Sequence, residues 1–414
     1  MVMLMRGMYA LYGAIYGRLW QAGLIHPGGN AWHAQRAGRH EPRPDRPLWL
    51  HAASLGEVQV ARAFVDLLAP LYPLYLTVQT ESGHAAVRNA MPDIPVAFAP
   101  FDLPGPVSEF LARLRPRGLI VFETEIWPHW LLTFDGPVWF ANARLSHRSY
   151  CRYRRVRKAL KPVWNNVQAV FAQSELDRAR FVGLGVLDSR VHVAGQVKQF
   201  MMNPGPNSRL RSQWRRRLGV KENELLWVSG SIRRDEIDTV LGMWTAALSR
   251  AAAARLILAP RRLRDVGFIM AQAAKRHRIA VRISTLAESP GPGPELLVLD
   301  THGELGDLYA ACDLNLLGGT FAPHGGHNPN ESARFGVLVV TGPYTAGIEA
   351  DLSLLARAGL AVRLENLDDF PLLTGSLASR NREEACRALT AALAKRTHPA
   401  RRLASAVKET LGGG

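Results

Sequence analysis

The stretch LGGTFAPHGGHNPNESA, residues 317–333, decides the fold of the second half of this chain. It continues the apolar run DLNLL (313–317), so a buried strand is predicted to end in a glycine-rich loop. Asn328 and Pro329 then begin a helix, because proline is typical of the first helical turn. The backbone amides of such a turn attract anions. We therefore predict an anion site here, with Glu331 placed to accept hydrogen bonds from two ribose hydroxyl groups.

The same loop holds His324 and His327, which raise the possibility of a metal site. Two histidines in a flexible loop, with no carboxylate or cysteine partner nearby, are a poor match to the ligand sets of protein metal sites. We therefore predict no metal and no cofactor.

The alternation of strand and helix extends outward from this stretch in both directions. Short apolar runs recur along the chain, separated by longer mixed segments, at LWLHAA (48–53), LYLTV (74–78), GLIVF (118–122), PVWFA (137–141), AVFAQ (169–173), LLWVS (225–229), RLILA (255–259), IAVRI (279–283), DLNLL (313–317) and VLVVT (337–341). Near-continuous apolar strands that alternate with helices indicate parallel sheets covered on both faces.

Two segments rich in proline and glycine divide the chain, HEPRPDRP (40–47) and NPGPN (203–207). We predict an α/β protein of two Rossmann-like domains, residues 31–202 and 203–414, whose parallel sheets face each other across a cleft. Residues 1–30 form a separate N-terminal helical segment. Ligands of open α/β sheets bind beyond the carboxyl ends of the strands, so functional residues are expected there.

Two carboxylate motifs follow strands of the first half. In HAASLGE (51–57), a tight turn leads from the strand to Glu57, which can take a proton from a substrate hydroxyl or simply complement a helix N-terminus. In FETEIWP (122–128), Glu123 and Glu125 follow the strand GLIVF. Carboxylates two positions apart on an extended chain point to opposite sides, so only one is expected to reach the cleft.

Cations without acidic neighbours fill residues 144–161, which include Arg144 and Arg148 among eight lysines and arginines. Such a patch suits phosphate groups of a lipid, an anionic membrane or RNA, or it is a solvated helix face. An RNA-binding pattern of aromatic and glycine residues is missing. Lys198, in GQVKQ (195–199), is expected near the junction of the two domains or is a surface lysine.

Three motifs of the second half also follow strands. GSIRRDE (230–236) is a weak phosphate-binding signal. In APRR (259–262), Arg261 ends a strand where it can pair with a nucleotide phosphate. In DTHGELGDLYA (300–311), the turn at residues 302–304 can read a base edge. Alternatively, Thr301 and Glu304 only form a capping box.

The overall charge points to an anionic partner. The chain has 414 residues with 51 lysines and arginines against 35 aspartates and glutamates, a net charge of +16. The partner can be nucleic acid, an acidic membrane or a phosphorylated substrate, unless the whole proteome is basic. Three widely spaced cysteines suit a reducing compartment.

The N-terminal run GMYALYGAIYG (7–17) is uncharged but has only 11 residues, whereas a membrane-spanning helix needs about 20. Arg6, Arg18 and Trp20 flank it, as in helices that lie on a membrane surface. We expect a monotopic or peripheral anchor, and a helix packed on its own domain is the alternative. A signal peptide fits less well because no small-x-small cleavage site follows.

Taken in order, the motifs HAASLGE, FDLP (101–104), ETEIWP, NARLSHRS (142–149), PRR, DTHGEL and GGTFAPHGGHNPNE resemble those of the bacterial 3-deoxy-D-manno-octulosonic acid (Kdo) transferases. The resemblance runs from about residue 48 to residue 342. It implies a GT-B fold, a CMP-Kdo donor, a phosphorylated lipid A precursor (lipid IVA) as acceptor and inversion at the anomeric carbon. It also implies lipopolysaccharide core biosynthesis at the cytoplasmic face of the inner membrane, with no nucleic-acid partner.

The resemblance assigns roles residue by residue. Glu57 matches the proton acceptor, and Glu123 and Lys198 match the groups that stabilise the transition state. Arg144 and Arg148 are candidates for binding the acceptor's phosphates. The positions that match the CMP-binding segments are Pro260, Arg261, His302, Gly303, Glu304, Asn328, Pro329, Asn330 and Glu331.

This chain departs from the family pattern at four of these segments. Arg262 stands where histidine is usual, His302 where methionine is usual and Asn330 where leucine is usual, and Gln199 follows Lys198 in place of phenylalanine. These departures put donor affinity and acceptor choice in doubt. The alternatives are a GT-B enzyme with another nucleotide-sugar donor or acceptor, and a non-enzymatic basic protein that binds membrane or RNA.

Overall fold

The structure is a computed structural model that describes residues 30–248, 254–286, 295–374 and 380–412. The chain forms two compact units. The first contains the described residues up to Met201 together with those from Thr397 onward, and the second runs from Met202 to Arg396. The predicted segment of residues 1–30 lies outside the described residues, apart from Asn30.

The first unit is built on a sheet of seven parallel strands in the order β3-β2-β1-β4-β5-β6-β7. The strands are β1 (Leu48–His51), β2 (Leu74–Val78), β3 (Val96–Phe98), β4 (Gly118–Phe122), β5 (Val138–Ala143), β6 (Val167–Ala172) and β7 (Val191–Val193).

Helices connect these strands and cover both faces of the sheet. They are α1 (Asn30–Arg36), α2 (Leu55–Leu68), α3 (Glu81–Ala90), α4 (Pro104–Leu114), α5 (Pro128–Thr133), α6 (His147–Arg155), α7 (Arg157–Leu160), α8 (Glu175–Gly183) and α9 (Val197–Phe200).

Successive side chains of β1 enter two different cores. Trp49 packs with Phe110 and Trp130 on one face of the sheet, and Leu50 joins Phe64 on the other. Both β1 neighbours are parallel, with Leu48 opposite Leu74 on β2 and opposite Gly118 on β4. Because both faces are buried, the strand shows no alternation of apolar and polar residues, and its last residue, His51, is buried as well.

The second unit repeats this plan with seven parallel strands in the order β10-β11-β9-β8-β12-β13-β14. They are β8 (Leu225–Ile232), β9 (Ala254–Pro260), β10 (Ala280–Arg282), β11 (Leu296–Val298), β12 (Leu314–Leu316), β13 (Leu338–Thr341) and β14 (Ala361–Arg363).

Helices again lie on both sides of the second sheet. They are α10 (Ser208–Arg217), α11 (Ile237–Leu248), α12 (Val266–Lys275), α13 (Leu305–Leu308), α14 (Asn330–Ala333), α15 (Glu349–Arg357), α16 (Phe370–Thr374) and α17 (Arg382–Ala394). Across the described residues, no helix combines the length and apolar character that crossing a bilayer requires.

The predicted fold class, two Rossmann-like domains with parallel sheets, is confirmed. All ten predicted strands exist. The strands that the sequence reading missed are β3, β7, β11 and β14, each only three residues long. So short a run shows no period, and the equally short β10 and β12 were recognised only as parts of five-residue runs.

The C-terminal segment differs from the predicted domain boundary. Residues 397–414 were assigned to the second domain, whereas helix α18 (Pro399–Leu411) packs in the first unit. Its Ala400, Leu403 and Val407 share a core with Val58 on α2. The apolar stripe of α18 has the right period for a buried helix, but a stripe alone does not say which core it covers.

Candidate active site

Glu57 lies at the carboxyl end of β1, in the first turn of α2, with only 9% of its surface exposed. Its Oε2 accepts a hydrogen bond of 2.7 Å from the backbone N–H of Ala53. Its Oε1 accepts one of 3.1 Å from the hydroxyl of Ser54. Glu57 therefore bonds from a buried position to one backbone N–H and one hydroxyl group that both precede the helix.

Burial raises the pKa of Glu57 to about 7, and the charges of Glu123 and Glu125 act in the same direction. The hydrogen bonds from Ala53 and Ser54 oppose this rise. A carboxyl group with such a pKa changes protonation state near neutral pH, as a general base requires. Glu57 is thus chemically suited to accept a proton.

Glu123 and Glu125 both act on Glu57, since the charge of each raises the pKa of Glu57. The pKa of Glu125 is itself raised, first by burial and further by the charge of Glu123. The two carboxylates do not lie on an extended chain, because the φ of Glu123 is 54°, in the left-handed region. This turn breaks the alternation of an extended chain, and a non-glycine residue adopts it at a cost of about 1–3 kcal/mol.

Asn142 organises the neighbouring strand end. It has a φ of 52°, is buried, and accepts a hydrogen bond of 3.2 Å from the N–H of Val197. That bond ties the start of α9 to β5 and so fixes the position of Lys198, which is exposed. Since α9 packs against α2, Lys198 and Glu57 stand on adjacent helices.

Arg144 joins the same strand ends. Its N–H donates 3.2 Å to the hydroxyl of Thr124, which follows Glu123 directly. The side chains of Arg144 and Arg148 are exposed. The structure therefore brings Arg144 next to the segment that carries Glu123, whereas Arg148 lies in the first turn of α6.

The predicted cationic patch is a solvent-facing surface. Helix α6 has no buried residue, and Tyr150 and Tyr153 pack only partly against the core. Among the described residues, no carboxylate pairs with the eight cations of residues 144–161. Their charge is available to an external anion.

In the second unit, five arginines surround a pocket of about 500 Å³ at the carboxyl ends of β8 and β9. They are Arg233, Arg234, Arg261, Arg262 and Arg264, and they share the pocket with Asp235, Asp265 and His324. None of the five pairs with a carboxylate within the described part of the chain. Two aspartates leave three of these positive charges uncompensated, so the pocket is built for an anion.

The glycine-rich loop forms one wall of this region. Gly318 approaches β8 so closely that an added Cβ would lie 2.5 Å from the carbonyl oxygen of Ser231. His324 bonds to Asp235 at 2.8 Å. Burial, and then the charges of Arg233 and Arg261, lower the pKa of His327 to about 4. His327 is therefore neutral near pH 7.

Glu236 holds the loop against the arginine-bearing turn. It is fully buried, and its Oε2 accepts hydrogen bonds from the N–H groups of Arg233 at 3.0 Å and Gly319 at 2.8 Å. Its Oε1 accepts one of 2.9 Å from Phe321. One carboxylate thus joins both walls of the pocket. The motif GSIRRDE contained it, but the sequence reading did not single it out.

Asn315 performs a similar task for the segment NPNE. It accepts from the N–H of Gly230 at 3.1 Å and donates to the hydroxyl of Ser332 at 2.9 Å. It too was missed, although an asparagine inside an apolar strand was a usable signal.

The residues of NPNE do not all face one way. Glu331 is exposed and accepts a hydrogen bond of 3.1 Å from Asn328, and Pro329 occupies the position before α14. Asn330 is buried and donates to Asp351 at 2.8 Å. Asn330, which departs from the family pattern, therefore directs its side chain to a hydrogen bond within the second unit.

The turn at residues 302–304 follows β11, the neighbour of β9. His302 and Gly303 are exposed, and Glu304 pairs with Arg217 at 2.6 Å. Although burial acts to raise it, hydrogen bonds from Thr301 and Arg217 hold the pKa of Glu304 below its usual value. Glu304 is itself the residue that precedes α13, so the capping box with Thr301 is not formed.

The residues predicted to bind the CMP donor follow the carboxyl ends of β9, β11 and β12. These strands and β8 are neighbours in the sheet, so the residues lie on the same side of the second unit. Within the described residues, no group of three or more histidine, cysteine, aspartate or glutamate side chains is arranged to hold a metal ion.

Known proteins match both the sequence and the fold. Residues 31–201 match the family described as 3-deoxy-D-manno-octulosonic-acid transferase (kdotransferase). The chain is 30% identical to the 3-deoxy-D-manno-octulosonic acid transferase of Bordetella pertussis over 395 residues, covering 91% of this chain and 90% of the relative. It is 29% identical to the Haemophilus influenzae transferase of the same name over 313 residues, 73% of this chain and 72% of the relative.

Among solved structures, a glycosyltransferase from Rickettsia africae aligns with 90% of this chain and 100% of its own, with a TM-score of 0.61 and 11% identity. Its likeness concerns the fold. Two Rossmann-like units with an anion pocket and a buried carboxylate at strand ends define a GT-B glycosyltransferase. Given its match to the Bordetella pertussis enzyme over nearly the full length of both chains, the protein belongs to the Kdo transferase family.

Proposed function

We propose that this enzyme transfers Kdo from CMP-Kdo to a phosphorylated lipid A precursor, with inversion at the anomeric carbon. The observation that carries this proposal is the arginine pocket of about 500 Å³ in a member of this family. A CMP leaving group carries a phosphate, and guanidinium groups match phosphate oxygens with paired donors.

In the proposed reaction, an acceptor hydroxyl oxygen attacks the anomeric carbon while the bond from that carbon to the phosphate oxygen breaks. CMP leaves with the bonding electron pair. Arg261 and Arg233 stabilise the charge that grows on the phosphate. Glu57 takes the hydroxyl proton, a role supported by its burial and its pKa of about 7. Glu123 and Lys198 are proposed to stabilise the cation-like sugar and the departing phosphate, respectively.

The donor's other contacts are proposed from the exposed groups of the second unit. Glu331 is exposed and is proposed to accept hydrogen bonds from the ribose hydroxyls. The exposed turn at Gly303 is proposed to bind the edge of the cytosine base. Pro260 and Pro329 shape the backbone at these two strand ends. Asn330 is proposed to act only through its backbone, since its side chain bonds to Asp351.

The acceptor and the membrane are proposed to meet the cationic surface of α6 and α7. Arg144 and Arg148 are the candidates for the acceptor phosphates, and the remaining cations suit the anionic cytoplasmic leaflet of the inner membrane. Each lysine or arginine near such a surface contributes about 1 kcal/mol to binding.

The test is release of CMP from CMP-Kdo in the presence of a lipid A precursor. We expect turnover by the wild type and a loss of about 10²–10⁴-fold in Glu57→Gln. Glu81→Gln is the matched control, because Glu81 also lies in the first turn of a helix of the first unit but is exposed.

Absence of CMP release by folded wild-type protein would overturn the proposal. A nucleotide panel then identifies the alternative. Thermal stabilisation by UDP or GDP, without stabilisation by CMP, would indicate a GT-B enzyme with a different donor.

A further inference from the structure

The five arginines of the pocket divide into two groups by the segments that carry them. Arg233 and Arg261 follow β8 and β9 side by side, because the backbone N–H of Arg261 donates a hydrogen bond of 2.8 Å to the carbonyl oxygen of Ile232, the residue before Arg233. Arg262 and Arg264 line the pocket from the 3₁₀ turn Leu263–Asp265 and the residue before it.

Arg234 is held apart from both groups. Its guanidinium stacks on Phe268 on α12, with 4.1 Å between the guanidinium carbon and the ring centroid. The stacking on Phe268 engages one face of this guanidinium group. The pocket therefore offers one pair at the adjacent ends of β8 and β9, Arg233 and Arg261, and a second pair in the turn after β9, Arg262 and Arg264.

One phosphate does not use two such pairs. The phosphodiester of a CMP-sugar carries a single negative charge, and two arginines suffice to bind its two free oxygens. The phosphodiester neutralises only one of the three excess positive charges of the pocket. Three uncompensated positive charges in one pocket thus indicate a second anionic group on the same ligand.

We propose that Arg262 and Arg264 bind the carboxylate of the donor sugar, while Arg233 and Arg261 bind its phosphate. The inference rests on the proposed function, since an ulosonic acid bears a carboxylate next to its anomeric carbon. That carbon also carries the phosphate oxygen, so the two anions lie within a few bonds of each other. Carboxylate and phosphate then fit one pocket of about 500 Å³.

Selectivity for the donor follows from this arrangement. A nucleotide linked to a neutral sugar would leave Arg262 and Arg264 without a partner. Because arginine stays protonated at all working pH values, this end of the pocket holds its charge where a histidine would lose it. Arg262 is thus a specificity-determining residue peculiar to this chain's version of the motif.

The experiment is calorimetric titration of CMP and of CMP-Kdo, without acceptor, into wild type, Arg261→Gln, Arg262→Gln and Arg264→Gln. The control is Arg357→Gln, which removes an exposed arginine from the last turn of α15 in the same unit. We expect Arg262→Gln and Arg264→Gln each to weaken CMP-Kdo binding by about 10- to 100-fold. The same variants should bind CMP as the wild type does, and Arg261→Gln should lose affinity for both ligands.

Three results would overturn the inference in distinguishable ways. Equal losses for CMP and CMP-Kdo in Arg262→Gln would assign this arginine to the phosphate. An unchanged Kd for both ligands, with a raised KM only for the lipid acceptor, would assign it to an acceptor phosphate. Wild type that binds CMP but not CMP-Kdo would refute the proposed function together with this subsite.

Discussion

Replacing Glu57 by glutamine should change how the stability of the first unit depends on pH. The folded pKa of about 7 lies above the unfolded value of 4.5, so the native state binds the proton more tightly. The proton therefore stabilises the fold fully below the unfolded pKa, and this stabilisation is lost as pH rises through the folded pKa. Buried glutamine has no such titration.

The magnitude follows from the two pKa values. One pKa unit corresponds to about 1.4 kcal/mol, so the full effect is about 3 kcal/mol, of which about 2.5 kcal/mol falls between about pH 5 and pH 8. We expect the wild type to lose that much more unfolding free energy than Glu57→Gln over this interval.

Urea denaturation followed by tryptophan fluorescence at several pH values measures this difference. The Glu81→Gln control should follow the wild type, because Glu81 is exposed. Direct titration of the Glu57 carboxyl carbon by NMR supplies an independent value. Parallel stability curves for wild type and Glu57→Gln would refute the argument that burial controls this carboxylate.

Three further perturbations test other parts of the structure. Glu125→Gln removes a charge that raises the pKa of Glu57, so the rising limb of kcat/KM should move to lower pH in a pH–rate profile. Glu236→Gln turns an N–H group toward a backbone N–H, which should destabilise the second unit by about 1–3 kcal/mol and raise the KM for donor more than it lowers kcat. A KM for the donor equal to that of the wild type in Glu236→Gln would contradict the positioning role of Glu236. Asp313→Asn leaves three arginines without their shared carboxylate, including buried Arg215 at 3.5 Å, and should cost about 3–5 kcal/mol in urea denaturation. Asp188→Asn, which breaks an exposed pair with Arg178, should cost less than about 1 kcal/mol.

Some residues of the candidate site could be predicted from the sequence because they directly follow strands. A parallel strand places the next few residues at the carboxyl edge of its sheet, so Glu57, Glu123 and Arg261 could be proposed from their position in the motifs. Glu236 and Asn315 could not be recognised in this way, because their roles depend on their hydrogen-bond partners and not on their position after a strand. Glu236 accepts hydrogen bonds from the N–H groups of Gly319 and Phe321, and Asn315 accepts one from Gly230, all more than 80 residues away in sequence.

The order of apolar and mixed segments by itself determined the α/β class, the two repeated units and ten of the fourteen strands in the described residues, since periodicity and length are local properties of the chain. Tertiary structure alone decided that α18 packs on α2, that two loops bring five arginines to one pocket, and that Glu57 is buried beside two like charges. Each of these depends on which elements become neighbours, and the free energy of a buried charge depends on all of its neighbours at once.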